Sequence, residues 1–155
     1  MLRTAIAALA LTTSLPCTAC GGTNSPYQET KSGLSADAAR GQAPSARPDW
    51  LPDDIPLPAD LVIFETARAK LPTDAAPSWS LKGYTWASTD AAAVTLGLRE
   101  RLMAAGYKHE GNPPEVTPQL IQFSGKTLAP GTTAFMMLDP AGDHLVLSLS
   151  LVRAE

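Results

Sequence analysis

Two histidines stand beside acids in this 155-residue chain: His109 precedes Glu110, and His144 follows Asp143. An imidazole held by a carboxylate is the usual core of general acid–base catalysis. His144 with Asp143 is the better catalytic candidate. The plainer expectation for both pairs is a turn histidine next to a solvated acid. Zinc needs three or four converging ligands, and neither pair has a dense ligand spacing around it. Asp53-Asp54 sits among prolines and reads as solvated. Asp139 and Asp143 lack the alternating oxygen donors of a calcium loop and are expected to cap turn amides. Ser124-Gly125-Lys126-Thr127 has the end of a phosphate loop, but Leu120 stands where its first glycine belongs. It reads as the edge of a hairpin. No Gly-x-Ser-x-Gly elbow and no dinucleotide fingerprint occur. The sequence therefore assigns no catalytic residue, no metal ligand and no cofactor.

The two cysteines, Cys17 and Cys20, carry a different chemistry. Arg3 supplies a positive start, Ala5 to Leu11 an apolar stretch, and Thr12 to Leu15 a mixed extension. That order is a secretory signal peptide, and its apolar run is too short for an ordinary membrane span. Cys17-Thr18-Ala19-Cys20 follows. This tetrapeptide resembles the lipobox of bacterial lipoproteins, with small residues before the acceptor cysteine and Cys17 where leucine is usual. The resemblance implies cleavage after Ala19 and lipidation of Cys20, whose thiol would carry a diacylglycerol. Several acyl chains hold a protein at a bilayer far better than one. General signal peptidase would cut the same bond and release a secreted periplasmic form. Either way no cysteine remains inside the mature domain, so disulfides, Cys-zinc sites and thiol nucleophiles are excluded from it.

The elements that must position everything else follow from patterning. Residues 1–19 are the leader. Residues 20–49, scattered with Gly, Ser, Pro and Ala, read as a flexible membrane-to-domain linker that buries too little to offset its ordering entropy. Within it Ser35 and Gly41 can start and stop one short helix. Residues 50–155 read as one small domain. Its proline-spaced lead-in, Trp50 to Ala59, resembles those of small bacterial lipoproteins and is expected to strap along the surface. Strands are expected at Asp60 to Arg68 and Trp79 to Ala87, where aromatic residues on both faces leave the buried side open. A helix is expected from Asp90 to Ala105. Ser88 or Thr89 caps it, Val94, Leu98 and Leu102 face the core, and Arg99 lies on the wetter side. Gly106 and Tyr107 suit a Schellman end. Three strands complete the chain: Leu120 to Ser124, Thr132 to Leu138, and His144 to Val152. In the last, Leu145, Leu147, Leu149 and Leu151 share one face. The predicted fold is α+β: an antiparallel sheet in the order β-β-α-β-β-β, with one helix packed on one face.

A net charge of −3 without a basic cluster gives no reason to expect nucleic acid as a partner. The expected partners are the bacterial membrane, through the lipid anchor, and an envelope protein, peptide or wall component. Trp50, Tyr84, Trp86 and Phe135 are the candidate interface residues. The first reading is a nonenzymatic envelope lipoprotein, facing periplasm or cell surface. A small periplasmic hydrolase using His144 and Asp143 is the second. A structural or inhibitor lipoprotein is the third.

Overall fold

A computed structural model describes residues 27–31, 33–69, 78–111 and 116–153. The expected leader, its expected cleavage site and Cys20 lie outside the described residues. The chain forms an α+β fold built on an antiparallel sheet. Its elements are β1 (Tyr27–Lys31), α1 (Ala36–Ala39), β2 (Val62–Ala69), β3 (Ser78–Thr85), α2 (Ala91–Ala104), β4 (Lys108–Glu110), β5 (Leu120–Ser124), β6 (Thr132–Pro140) and β7 (Leu145–Arg153). The strand order across the sheet is β1-β2-β3-β7-β6-β5-β4. The expected β-β-α-β-β-β order is thus present, extended at each edge by a short strand that hydropathy alone did not mark. At five and three residues, these edge strands are too short to show an alternation.

Strand β7 is central because it is paired on both sides and one of its faces is buried. Leu145, Leu147 and Leu149 are fully buried and Leu151 nearly so. On either side lie β3, in register Leu81 with Leu149, and β6, in register Met136 with Leu149. The shared face therefore holds Leu81, Ala134, Met136 and Leu138 beside the leucines, with Ile121 and Phe123 from β5. Helix α2 covers part of this face with Leu98 and Leu102, while Val94 packs at the margin. The proline-rich strap covers more of it with Leu51 and Ile55. Fully burying each such side chain is worth roughly 1.5–3 kcal/mol.

Helix α2 is capped by Asp90, whose carboxylate accepts from the Ala93 amide; Ser88 instead accepts from the amide of Asp90 itself. The expected caps were one turn position too early, because Ser88 spends its hydroxyl on the turn before the helix. At the other end Gly106 has φ +96°, and the amides of Tyr107 and Gly106 bond to the carbonyls of Leu102 and Met103. That is the Schellman geometry expected from Gly106. Arg99, expected on the wet side, is only 7% exposed. Its long stem crosses the seam between α2 and β5, and Nη2 donates to the Leu120 carbonyl at 2.9 Å.

Strand β2 carries a bulge. Ile63 pairs with Gly83 and Glu65 with Lys82, so Phe64 is an extra residue. Because of it, Glu65 shares a face with Val62 rather than with Ile63, reversing the simple alternation from that point on. Gly83 leaves room for its neighbours, since a Cβ there would lie 2.8 Å from Leu61 Cδ1 and 3.0 Å from the Val62 carbonyl, and Leu61 would have to shift. In β3 the helix-side face proves to be Leu81, Gly83 and Thr85, all buried. Asp60 joins the start of β2 to the end of β3 by accepting from the Thr85 hydroxyl at 2.5 Å and the Trp86 amide at 2.7 Å.

Within residues 20–49, expected as a flexible linker, the described residues lie against the sheet: β1 pairs with β2, and contacts continue from residue 33 onward. Ser45 donates its amide to the Leu61 carbonyl and accepts the Ile63 amide on its hydroxyl. Ala39 is fully buried, and the Tyr84 hydroxyl donates to the Leu34 carbonyl. Helix α1 has the expected cap at Ser35, and Gly41 turns the chain at φ +78°. The segment adheres through backbone and short-side-chain hydrogen bonds, which leave no apolar period in the sequence.

Candidate functional site

The four aromatic residues singled out in the sequence do not form one surface. They fall into three places. Trp50, in the strap, stacks on Trp79 of β3 with ring centroids 5.5 Å apart and planes 17° apart. The Arg68 guanidinium lies over the Trp79 ring at 4.7 Å. The register explains the grouping: Arg68 pairs with Trp79 and Trp79 with Leu151, so all three share the helix-side face. They lie at the end of that face where the strap, rather than α2, is the cover. Between strap and sheet remains a groove of about 300 Å³, lined by Trp50, Trp79, Leu128, Ala129, Leu151 and Arg153 among others. Its volume is at the small end of ligand pockets, and its apolar lining with a few polar groups at the rim is typical of them. Trp79, Leu128 and Arg153 were not singled out from the sequence. Alternation could have paired Trp79 with Leu151 once the strand neighbours were known, but only the register supplies that.

Tyr84 and Trp86 belong to a second group on the opposite face. Phe64, placed by the bulge, stacks on Tyr84 at 4.3 Å. Tyr84 and Trp86 are 6.0 Å apart, and His144 meets Tyr84 edge-on at 5.4 Å and Trp86 at 5.9 Å. Arg40, just after α1, lies over the Trp86 ring at 5.8 Å and pairs with the Asp143 carboxylate. Asp143 also faces His144 Nδ1 at 3.1 Å. The hydrogen bonds from His144 and Arg40 hold the Asp143 carboxyl below its usual range. Asp143 thus latches the N-terminal segment onto an aromatic layer, while its carboxylate also accepts from its own turn amide. Asp139 sits within β6, paired with Val146. Phe135 is separate from both groups. It aligns with Ser150 of β7, which aligns with Ser80 of β3, four residues along from Tyr84. That offset is about 13 Å at strand rise.

The His144–Asp143 pair is intact as geometry, yet its imidazole is only 14% exposed and packed between two aromatic rings. It stands before the first residue of β7, whereas the groove lies at Leu151 and Arg153, about 23 Å away along the strand. Its acid–base capacity is not directed at the groove. His109 does not pair with Glu110. It lies in β4 opposite Phe123, with Nε2 buried and without a hydrogen-bond partner among the described residues. Glu110 instead accepts from the Ser124 hydroxyl.

The supposedly solvated Asp54 is the most engaged carboxylate near the groove. It accepts from the Tyr107 hydroxyl at 2.5 Å and the Thr127 hydroxyl at 2.9 Å, and pairs with Lys126 at 2.8 Å. Burial alone would raise its pKa, but the hydrogen bonds of Lys126, Tyr107 and Thr127 outweigh that and bring it down to about 2. Burial and the same carboxylate push Tyr107 up to about 12. Ser124-Gly125-Lys126-Thr127 is a turn, with Gly125 at φ +87° and Lys126 at +49°, as its hairpin-edge reading requires. This turn holds the strap through Asp54 and so fixes one wall of the groove. Among the described residues, no group of three or more His, Cys, Asp or Glu side chains is arranged to hold a metal ion. No family model, no curated protein and no solved structure matches the chain.

Proposed function

We propose that this chain is a nonenzymatic, lipid-anchored binding module of a bacterial cell envelope, and that the groove beside Trp50 and Trp79 is where it takes its partner. The leader and the lipobox-like Cys17-Thr18-Ala19-Cys20 support the anchor. The groove carries the binding reading. It is walled by two indoles, floored by Leu128 and Leu151, and bounded by a strap that Asp54 ties in place. A rigid, apolar, preformed recess binds at a small ordering cost. Tethering then raises the local concentration of any envelope partner.

Two measurements test the two halves. The mass of the N-terminal peptide from membrane-extracted protein should show acylated Cys20; an unmodified chain still beginning at Met1 would remove the anchor. A photo-crosslinking amino acid in place of Ala129, exposed at the groove, should give a discrete adduct in intact envelopes. The same group in place of Leu96, on the outer side of α2 and 49% exposed, should give none. Equal labelling from both positions, or none from Ala129, would refute the groove.

A further inference from the structure

We infer that the groove is built for a peptide chain end: a free C-terminal carboxylate with an apolar final side chain. The inference rests on the groove being the binding site and adds the chemistry of its occupant. Two features carry it. The first is charge. Arg68 and Arg153 both lie on the helix-side face, Arg68 in register with Trp79 and Leu151, and Arg153 two residues beyond Leu151. Strand spacing and rise put their Cα atoms about 12 Å apart, on two sides of the indole pair. Both side chains are exposed, and neither makes an ion pair with any described residue. In the adjoining strap Asp54 pairs with Lys126, and Asp53 lies 3.9 Å from Arg47. Arg153 is the cation that lines the groove, with Arg68 over Trp79 beside it. Guanidinium groups pair with carboxylates in a bidentate, directional way.

The second feature is the floor. Trp79 has an indole stacked on it and a guanidinium over it, so this chain's own groups already engage its ring. What remains is the recess beside Leu128, Ala129 and Leu151. It suits an aliphatic side chain rather than a sugar ring, which needs an open aromatic platform. About 300 Å³ accommodates one or two side chains, not a folded surface. In a chain end, the carboxylate and the last side chain leave the same carbon, so both demands are met within that space.

The test is calorimetric titration of the full chain, in mild detergent, with acetyl-Gly-Gly-Ala-Leu as free acid and as C-terminal amide. The free acid should bind at least tenfold more tightly than the amide. Arg153→Gln and Arg68→Gln, both at exposed positions, should each erase most of that preference. Equal affinity for acid and amide would overturn the chain-end inference and leave the groove as a site for apolar groups. A preference that survives both substitutions would overturn it as well. Failure of the free acid to bind would sink the inference, whereas the groove itself stands or falls on the envelope crosslink at Ala129.

Discussion

Replacing Asp54 with asparagine removes one charge while keeping the shape of the side chain and an acceptor for Tyr107. The carboxylate bridges strap, helix end and the turn at Lys126. Its pKa falls from 3.8 to about 2, which at ~1.36 kcal/mol per unit is worth roughly 2.5 kcal/mol. The side chain is 27% exposed, and solvent screening reduces that to about 1–2 kcal/mol. The folded-state pKa lies below the unfolded one, so the stabilisation is complete well above 3.8 and is lost as pH falls toward 2. Urea unfolding should therefore show D54N less stable than the natural chain by about 1–2 kcal/mol at neutral pH. The gap should close as the pH approaches 2. Tyr107 runs the other way. Raised to about 12 by burial and by Asp54, it stabilises the fold below pH 10 and ceases to as pH rises from 10 to 12. In D54N its phenol should ionise at lower pH, visible by ultraviolet titration. A D54N deficit that is the same at pH 7 and pH 2 would refute the reasoning, because the loss would then come from packing and not from charge.

Two further outcomes follow from packing. Leu147 is fully buried at the centre of β7, so L147A should cost about 2–5 kcal/mol in urea unfolding; a cost below about 1 kcal/mol would mean that β7 is not the middle of the core. Gly83→Ala places a methyl against Leu61 and the Val62 carbonyl and should destabilise by about 1–3 kcal/mol through overpacking, whereas Gly97→Ala, which meets nothing within 4 Å in α2, should stabilise by a few tenths to about 1 kcal/mol.

The groove shows where sequence reasoning reached and where it stopped. Trp50 was legible as a strap anchor, and the leucines of β7 as an inner face, because each is written in its own local pattern. Their meeting with Trp79, Arg68 and Arg153 was not. Strand neighbours in an antiparallel sheet are chosen by tertiary packing, and β3 and β7 are separated by the whole of α2, β4, β5 and β6. Arg99 misled for a related reason: an arginine stem can bury itself when a carbonyl receives its head, and that carbonyl, Leu120, is distant in sequence. The bulge at Phe64 is equally silent, since one extra residue leaves composition unchanged while moving Glu65 to the other face.

By itself the sequence determined the local and periodic features: the α+β class, the Gly106 helix end, and the buried face of β7. These depend on spacing, backbone allowance and hydropathy, which are properties of neighbouring residues. The tertiary structure alone decided that residues 33–49 lie against the sheet, that Asp54 is a clamp, that His144 and Asp143 serve a latch, and that two tryptophans and Arg153 line one recess, with Arg68 over Trp79. Each of those depends on groups brought together by folding, and no local signal records which distant partner a side chain will meet.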